Sequence, residues 1–310
     1  MVKAGVDLGG TTIKIGLLDE EGSLTKRVIP TESGSGYERI FERISECILS
    51  MLEEGGIGLW ELGHVGMASP GILSEDGEVI LFAANLGFTG VRAAEELKKY
   101  FSCPVSLKND ADAAALGEHV YGAGKEYRST VTITIGTGIG AGIVIDNQIM
   151  AGSFHSGGEI GHHIIASDGR PCTCGQRGCM EQYCSASALV ADAKEKSSCY
   201  PDSKLAKLYS RGTVNAQDIF EAAAEGDWPA VAAVDGFVRS LGIGVINVIN
   251  ILQPQAVIIG GGVSEAGRAL TEPLEAYVKT HILFGEKNFR THIRCARLGN
   301  DAGMIGAALL

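Results

Sequence analysis

Four side chains of the kinds that bind metal ions fall within eighteen residues: His162, Cys172, Cys174 and Cys179, spaced His-x9-Cys-x-Cys-x4-Cys. One imidazole and three thiolates make a four-cornered ligand set of the type that holds structural zinc. Gly169, Pro171, Gly175 and Gly178 stand among them and supply turns tight enough for the sulfurs to converge. The alternatives are a group of core thiols or a disulfide, and zinc is preferred because a chain in a reducing compartment gains little from a disulfide. Arg170 and Arg177 would favour thiolates in either case. Nothing from Gly157 to Glu181 reads as helix or strand, so the ion would be what fixes this loop. Glu159 and Glu181 bracket it, and carboxylates held in place by a metal loop suit a ligand rich in hydroxyls. Otherwise they are two solvated surface acids.

A second kind of chemistry is written in glycine. Asp7-Leu8-Gly9-Gly10-Thr11-Thr12 interrupts two β-type runs and offers bare backbone amides, two hydroxyls and a carboxylate able to hold hydrated magnesium, with Lys14 as an added cation. Alone, such a turn is a hairpin. Residues 134–146, however, can be laid on residues 7–19 without a gap. Gly9 then falls on Gly136, Thr11 on Gly138, and Leu17-Leu18-Asp19 on Val144-Ile145-Asp146. The second turn is Gly136-Thr137-Gly138-Ile139-Gly140, and the repetition predicts duplicated lobes gripping one phosphate chain. A third glycine run, Gly260-Gly261-Gly262, follows an apolar strand pattern, where backbone can lie against a flat base or ribose, or simply bend from strand to helix.

The elements needed to position these groups are legible around them. Apolar residues at Ile40, Phe41, Ile44, Ile48 and Leu52 predict a covering helix over 36–54. Residues 65–68 read as a buried strand, 91–100 as helix, and 104–107 as a strand that delivers Asn109 and Asp110 at its carboxyl end, where open α/β sheets bind ligands. An alanine-rich helix over 111–121 makes Asp110 either a helix cap or a general base. Asn85 is either a hydroxyl partner or a turn residue. Further helices are expected over 187–196, 215–225 and 230–250, with 197–214 irregular. A strand is expected over 293–298, and a small-residue helix over 302–310 suits the junction between lobes.

With 310 residues, two domains are the default. The expected division is 1–121, completed by 301–310, and 122–300, which carries the zinc loop 157–181 and the turn 260–264. Hydrophobic residues at 45% and charged residues at 20% place the chain among globular proteins, and no apolar stretch reads as a membrane span. No export signal is read at the N-terminus, so the expected location is the cytoplasm. A net charge of −11 works against a nucleic-acid surface. Cys47, Cys103, Cys184, Cys199 and Cys295 read as packing residues.

In their order along the chain, the two phosphate turns, Asn109-Asp110, Gly-Glu-Ile-Gly-His, Cys-Thr-Cys-Gly-Gln-Arg-Gly-Cys-Met-Glu and Gly-Gly-Gly-Val-Ser resemble the ROK family of bacterial sugar kinases. The likeness covers almost the whole chain. It implies an α/β, two-lobed, actin/hexokinase-like (ribonuclease H-like) fold with a duplicated mixed-sheet core and a structural zinc loop. It also implies an ATP-dependent kinase acting on the 6-hydroxyl of glucose, with Asp110 as general base. Asn85, Asn109, Asp110, Glu159, His162 and Glu181 would then contact the hexose. Asp7, Gly9, Gly10, Thr11, Thr12, Lys14, Gly136, Thr137, Gly138, Gly140, Gly261 and Gly262 would serve ATP and its Mg2+. His162, Cys172, Cys174 and Cys179 would hold Zn2+. The resemblance also implies a homodimer, although no stretch forces one.

Where many members carry Asn-Leu-Pro-Gly-Trp, this chain has Asn85-Leu86-Gly87-Phe88, which leaves the sugar-facing rim open. N-acetylmannosamine, N-acetylglucosamine, fructose and allose therefore stand beside glucose as substrates. His155 and His163 either touch the sugar or pack. A sugar-sensing regulator without catalysis is opposed by the acidic charge, by retention of Asn109-Asp110 and by a phosphate turn that begins at residue 7, with no DNA-binding helix-turn-helix read ahead of it. A redox or metal-storage protein would leave the repeated hairpins unexplained.

Overall fold

The computed structural model describes residues 1–154 and 156–310. The chain divides into two units, Met1–Lys125 with Gly142–Gly158 and Leu298–Leu310, and Glu126–Ala141 with Glu159–Arg297. Residues 142–158, expected in the second lobe, cluster with the first unit.

The first unit is built on β1 (Val2–Leu8), β2 (Thr12–Leu18), β3 (Leu24–Pro30), β4 (Leu62–Ser69) and, after a small sheet of β5 (Ile72–Leu73), β6 (Ile80–Ala83) and β7 (Phe88–Val91), β8 (Val105–Asn109). The large sheet has the order β3-β2-β1-β4-β8. β1 to β3 form an antiparallel meander, whereas β4 and β8 run parallel to β1. Helix α1 (Tyr37–Glu54) lays Ile40, Phe41, Ile44, Ile48 and Leu52 onto the core with Val6, Leu8, Ile13 and Ile15. Each such burial is worth about 1.5–3 kcal/mol. Short α2 (Ala93–Lys98) starts later than expected because Val91 closes β7. Helix α3 (Asp110–Val120) follows β8 directly.

In the second unit, β9 (Thr130–Ile135) leads to β10 (Ile139–Ile145), within which the chain passes into the first unit. With β11 (Gln148–Ile149), β12 (Ala256–Gly260) and β13 (His292–Cys295) they form the order β11-β10-β9-β12-β13. That order matches the first sheet strand for strand. β11 is again antiparallel to its neighbour, and β9, β12 and β13 are again parallel. The core is thus duplicated.

Helices α4 (Glu181–Cys184), α5 (Ala186–Ser198), α6 (Lys204–Arg211), α7 (Ala216–Ala224), α8 (Trp228–Leu252) and α9 (Arg268–His281) fill out this unit. α6 falls in the stretch expected to be irregular. α8 is long and apolar enough, by length and composition, to cross a membrane, contrary to the sequence reading. It packs against α4, α5, α7 and α9, with Phe237, Leu241 and Val245 buried. A buried core helix accounts for its composition.

The last helix, α10 (Ala302–Ala308), belongs to the first unit, where it lies against α3, β1 and β4. A Cβ on Gly5, Gly66 or Gly306 would run into backbone of α10 or α3. Glycine on both faces is what lets helix and sheet approach this closely.

Candidate functional site

In the first unit, the β1–β2 turn is closed by the amide of Gly9 donating to the carbonyl of Thr12 at 3.0 Å. Thr31, fully buried beyond β3, holds the turn from behind: its hydroxyl donates to the Gly9 carbonyl at 2.6 Å and its amide to the Thr11 carbonyl at 2.8 Å. Thr11 and Thr12 are exposed. Asp7 and Lys14 are cross-strand partners and form an ion pair at 2.9 Å, so the lysine expected to meet phosphate meets the aspartate first. Exposed Asn85 sits in a single helical turn, Ala84–Leu86, whose backbone abuts Gly10.

At the end of β8, Asn109 rather than Asp110 is the cap of α3. Its Oδ1 accepts the Ala111 amide at 2.9 Å, and its Nδ2 donates to the Gly71 carbonyl at 3.3 Å. Asp110 is the first helical residue, exposed, with Oδ1 accepting the same amide at 2.9 Å. The first turn of a helix favours a carboxylate. Asp110 is thereby oriented by backbone at the carboxyl end of a parallel strand, where ligands of such sheets gather.

In the second unit, the β9–β10 turn is closed by the amide of Gly136 donating to the carbonyl of Gly138 at 3.0 Å, one residue tighter than its counterpart. Two further bonds fix it. The Ala186 amide donates to the Gly136 carbonyl at 2.9 Å, and the Ile139 amide donates to Glu181 Oε2 at 2.9 Å. Thr137 is exposed and Gly140 accepts the Thr134 hydroxyl at 3.1 Å. Gly261, with φ 76°, lies against the backbone of Ile135, bringing the third glycine run beside the end of β9. Gly262 opens a 3-10 segment, Gly262–Ala266, before α9 begins at Arg268.

His162, Cys172, Cys174 and Cys179 converge, each offering a ligand atom within 4.8 Å of the others. His162 approaches Cys172 through Nδ1 at 3.7 Å, and the sulfurs of Cys174 and Cys179 stand 3.6 Å apart. None of the three cysteines is tied up in a disulfide. Burial opposes a charge on Cys172, but hydrogen bonds from the Cys174 backbone and thiol, from His162 and from Cys179 bring it down to about 6. Cys179 is pushed up to about 12 by burial and by the thiols facing it. One nitrogen and three sulfurs at this separation fit a tetrahedral ion of zinc type.

The loop is more ordered than its composition suggested. It holds a 3-10 turn, Ile160–His162, two isolated bridges, Ile164 with Cys179 and Pro171 with Arg177, and the start of α4 at Glu181. Arg170 turns away from the sulfurs, contrary to expectation. Its guanidinium pairs with Asp192 at 2.8 Å, donates to the Gln182 carbonyl at 2.8 Å and covers the Tyr183 ring. Gln182 Nε2 in turn donates to Cys172 at 3.5 Å, a supporting contact that no local motif signals. Glu159 is exposed at the head of the 3-10 turn. His163 packs: its Nδ1 faces the Ile160 carbonyl and its Nε2 lies 3.5 Å from Asn247 on α8. His155 lies outside the described residues. Of the remaining cysteines, Cys47 and Cys184 are buried, whereas Cys199 is exposed and so is not a packing residue.

The model of the ROK family matches residues 3–310, and the chain belongs to that family. It is 37% identical to a glucokinase of Halalkalibacterium halodurans over 99% of this chain and 93% of that protein. It is also 30% identical to a xylose repressor of Bacillus subtilis, over 97% of this chain and 74% of the repressor. Among solved structures it is similar to a ROK family glucokinase from Streptomyces griseus in complex with glucose and AMPPNP. There the TM-score is 0.80 at 32% identity, over 99% of this chain and 98% of the other.

Proposed function

We propose that this protein is a hexose kinase that transfers the terminal phosphoryl group of ATP to the 6-hydroxyl of glucose. The observation that carries the reading is Asp110, an exposed carboxylate fixed by backbone at the head of α3, in a chain alike along nearly its whole length to glucokinases. Asp110 accepts the hydroxyl proton as the sugar oxygen bonds to phosphorus and the bond to the ADP oxygen breaks. Asn109, Glu159, Glu181 and Asn85 are the groups we assign to the sugar hydroxyls. The turns at Gly9–Thr12 and Gly136–Gly140 offer amides to the phosphates, and Gly261–Gly262 is assigned to the adenosine end. Asp7 would hold the magnesium that offsets phosphate charge, once Lys14 yields to it. The donor set of His162, Cys172, Cys174 and Cys179 fits zinc, which would brace the loop carrying Glu181. We place the enzyme in the cytoplasm, where ATP is supplied, as a homodimer that sedimentation would detect.

The test is ADP release with magnesium, ATP and a panel of glucose, fructose, allose, N-acetylglucosamine and N-acetylmannosamine. Glucose should give the highest kcat/KM. A preference for an acetamido sugar would reassign the substrate. Absence of ADP release with every sugar, together with sugar-dependent DNA binding, would replace the kinase with a regulator, the reading favoured by the likeness to the repressor.

A further inference from the structure

The last turn of α3 carries a carboxylate that phosphoryl transfer does not use. Glu118 is only 1% exposed. Its Oε1 accepts the Leu298 amide at 2.7 Å and its Oε2 the Ala123 amide at 2.9 Å, while its backbone carbonyl accepts from Gly122 and Gly124 at 3.1 and 2.8 Å. The chain first leaves the first unit after Lys125 and returns to it for the last time at Leu298, so the two carboxylate oxygens hold the first outgoing and the last returning segment. A buried carboxylate is costly unless donors surround it, and here the donors are the main chain at both passages. A Cβ on Gly122 would collide with this carboxylate. Gly142, the first point of re-entry, lies against the other end of the helix, where its Cβ would stand 2.7 Å from the Ala111 carbonyl. Two passages of the chain are therefore fastened to the helix that begins with Asp110, and a third lies close against it.

We propose that Glu118 is a positioning residue for the reaction, an inference that rests on the hexose kinase reading. It clasps the first outgoing and the last returning segment to α3, so that these flex only beyond Ala123 and before Leu298 while Asp110 keeps its place. It acts through the helix and not on a reacting atom.

Amide hydrogen exchange, read together with steady-state kinetics, tests this on the full-length wild-type, Glu118→Gln and Gly122→Ala proteins. The glutamine keeps the size but turns one acceptor into a donor facing an amide, and the Gly122 variant displaces the carboxylate while leaving it charged. In the wild type, the Ala123 and Leu298 amides should exchange as slowly as the end of α3. In both variants exchange at these two sites should rise about tenfold or more, with peptides of β12 unchanged. The kcat should fall about tenfold with hexose KM within about threefold, because a displaced base costs rate more than binding. Fast exchange of Ala123 and Leu298 in the wild type overturns the clasp without any variant. Unchanged exchange in both variants overturns it as well, and faster exchange with unaltered kcat overturns the positioning role. Should the wild type phosphorylate no hexose, the functional reading is what has failed, and exchange alone decides the clasp.

Discussion

Glu181 Oε2 accepts the backbone amide of Ile139 at 2.9 Å and occupies the space a side chain on Gly138 would need. A residue two positions beyond Cys179, one of the proposed zinc ligands, therefore sets the shape of the second glycine turn. Sugar and phosphate groups assigned to separate stretches of sequence are linked here through one carboxylate.

Gly138→Ala should displace that carboxylate. Overpacking at such a contact costs about 1–3 kcal/mol, and both hexose and ATP affinity should fall together in calorimetric titrations. Glu181→Gln keeps an oxygen for Ile139 and should weaken the hexose alone, because only the neutral amide's hydroxyl contacts differ.

Asp110→Asn should lower kcat by about 10²–10⁴ while leaving hexose binding near normal, since the amide cannot accept the proton. Single-turnover phosphorylation beside equilibrium sugar binding separates the two effects. Near-normal turnover would remove Asp110 from its assigned role.

One zinc per chain should be recovered by elemental analysis, and Cys174→Ser should lose it with a lower melting temperature. Zinc affinity should rise with pH, because bound thiols must shed protons. Above about pH 6 the Cys172 proton is already gone, whereas Cys179, pushed up to about 12, still carries its own near neutrality and must release it to bind. Below about pH 6 Cys172 takes up its proton and the fall should steepen. A flat profile would mean the sulfurs are not the ligands.

Thr31→Val removes the hydroxyl that donates to the Gly9 carbonyl at 2.6 Å and keeps the volume. About 1 kcal/mol of stability should be lost. The functional sign is a higher KM for ATP at unchanged hexose KM, read in steady-state kinetics.

Features carried by short local patterns were legible in the sequence. The repeated glycine turns mark matching hairpins because a turn must sit at the same distance between paired strands, and the convergence of His162 with the three cysteines could be read because they lie in one loop. The apolar period of α1 placed that helix to within a residue at its N-terminus. What escaped depends on distant partners. Strands of two to four residues around Asn85 are too short to show alternation, and α6, with lysines and one buried leucine, lacks a broad apolar stripe. Thr31 and Glu118 are single residues whose importance comes only from what folds onto them. Arg170 lies near the cysteines in sequence, yet Asp192 draws its charge elsewhere.

Seating α10 against Gly5 and Gly66 has a consequence for biosynthesis. The helix that covers β1 and β4 is encoded after residues 126–297, so a ribosome must finish the second unit before the first can close. Until then the nascent sheet exposes a glycine-lined apolar groove with nothing in it, the sort of surface chaperones bind. β1 and β4 are thus made long before the helix that completes their burial.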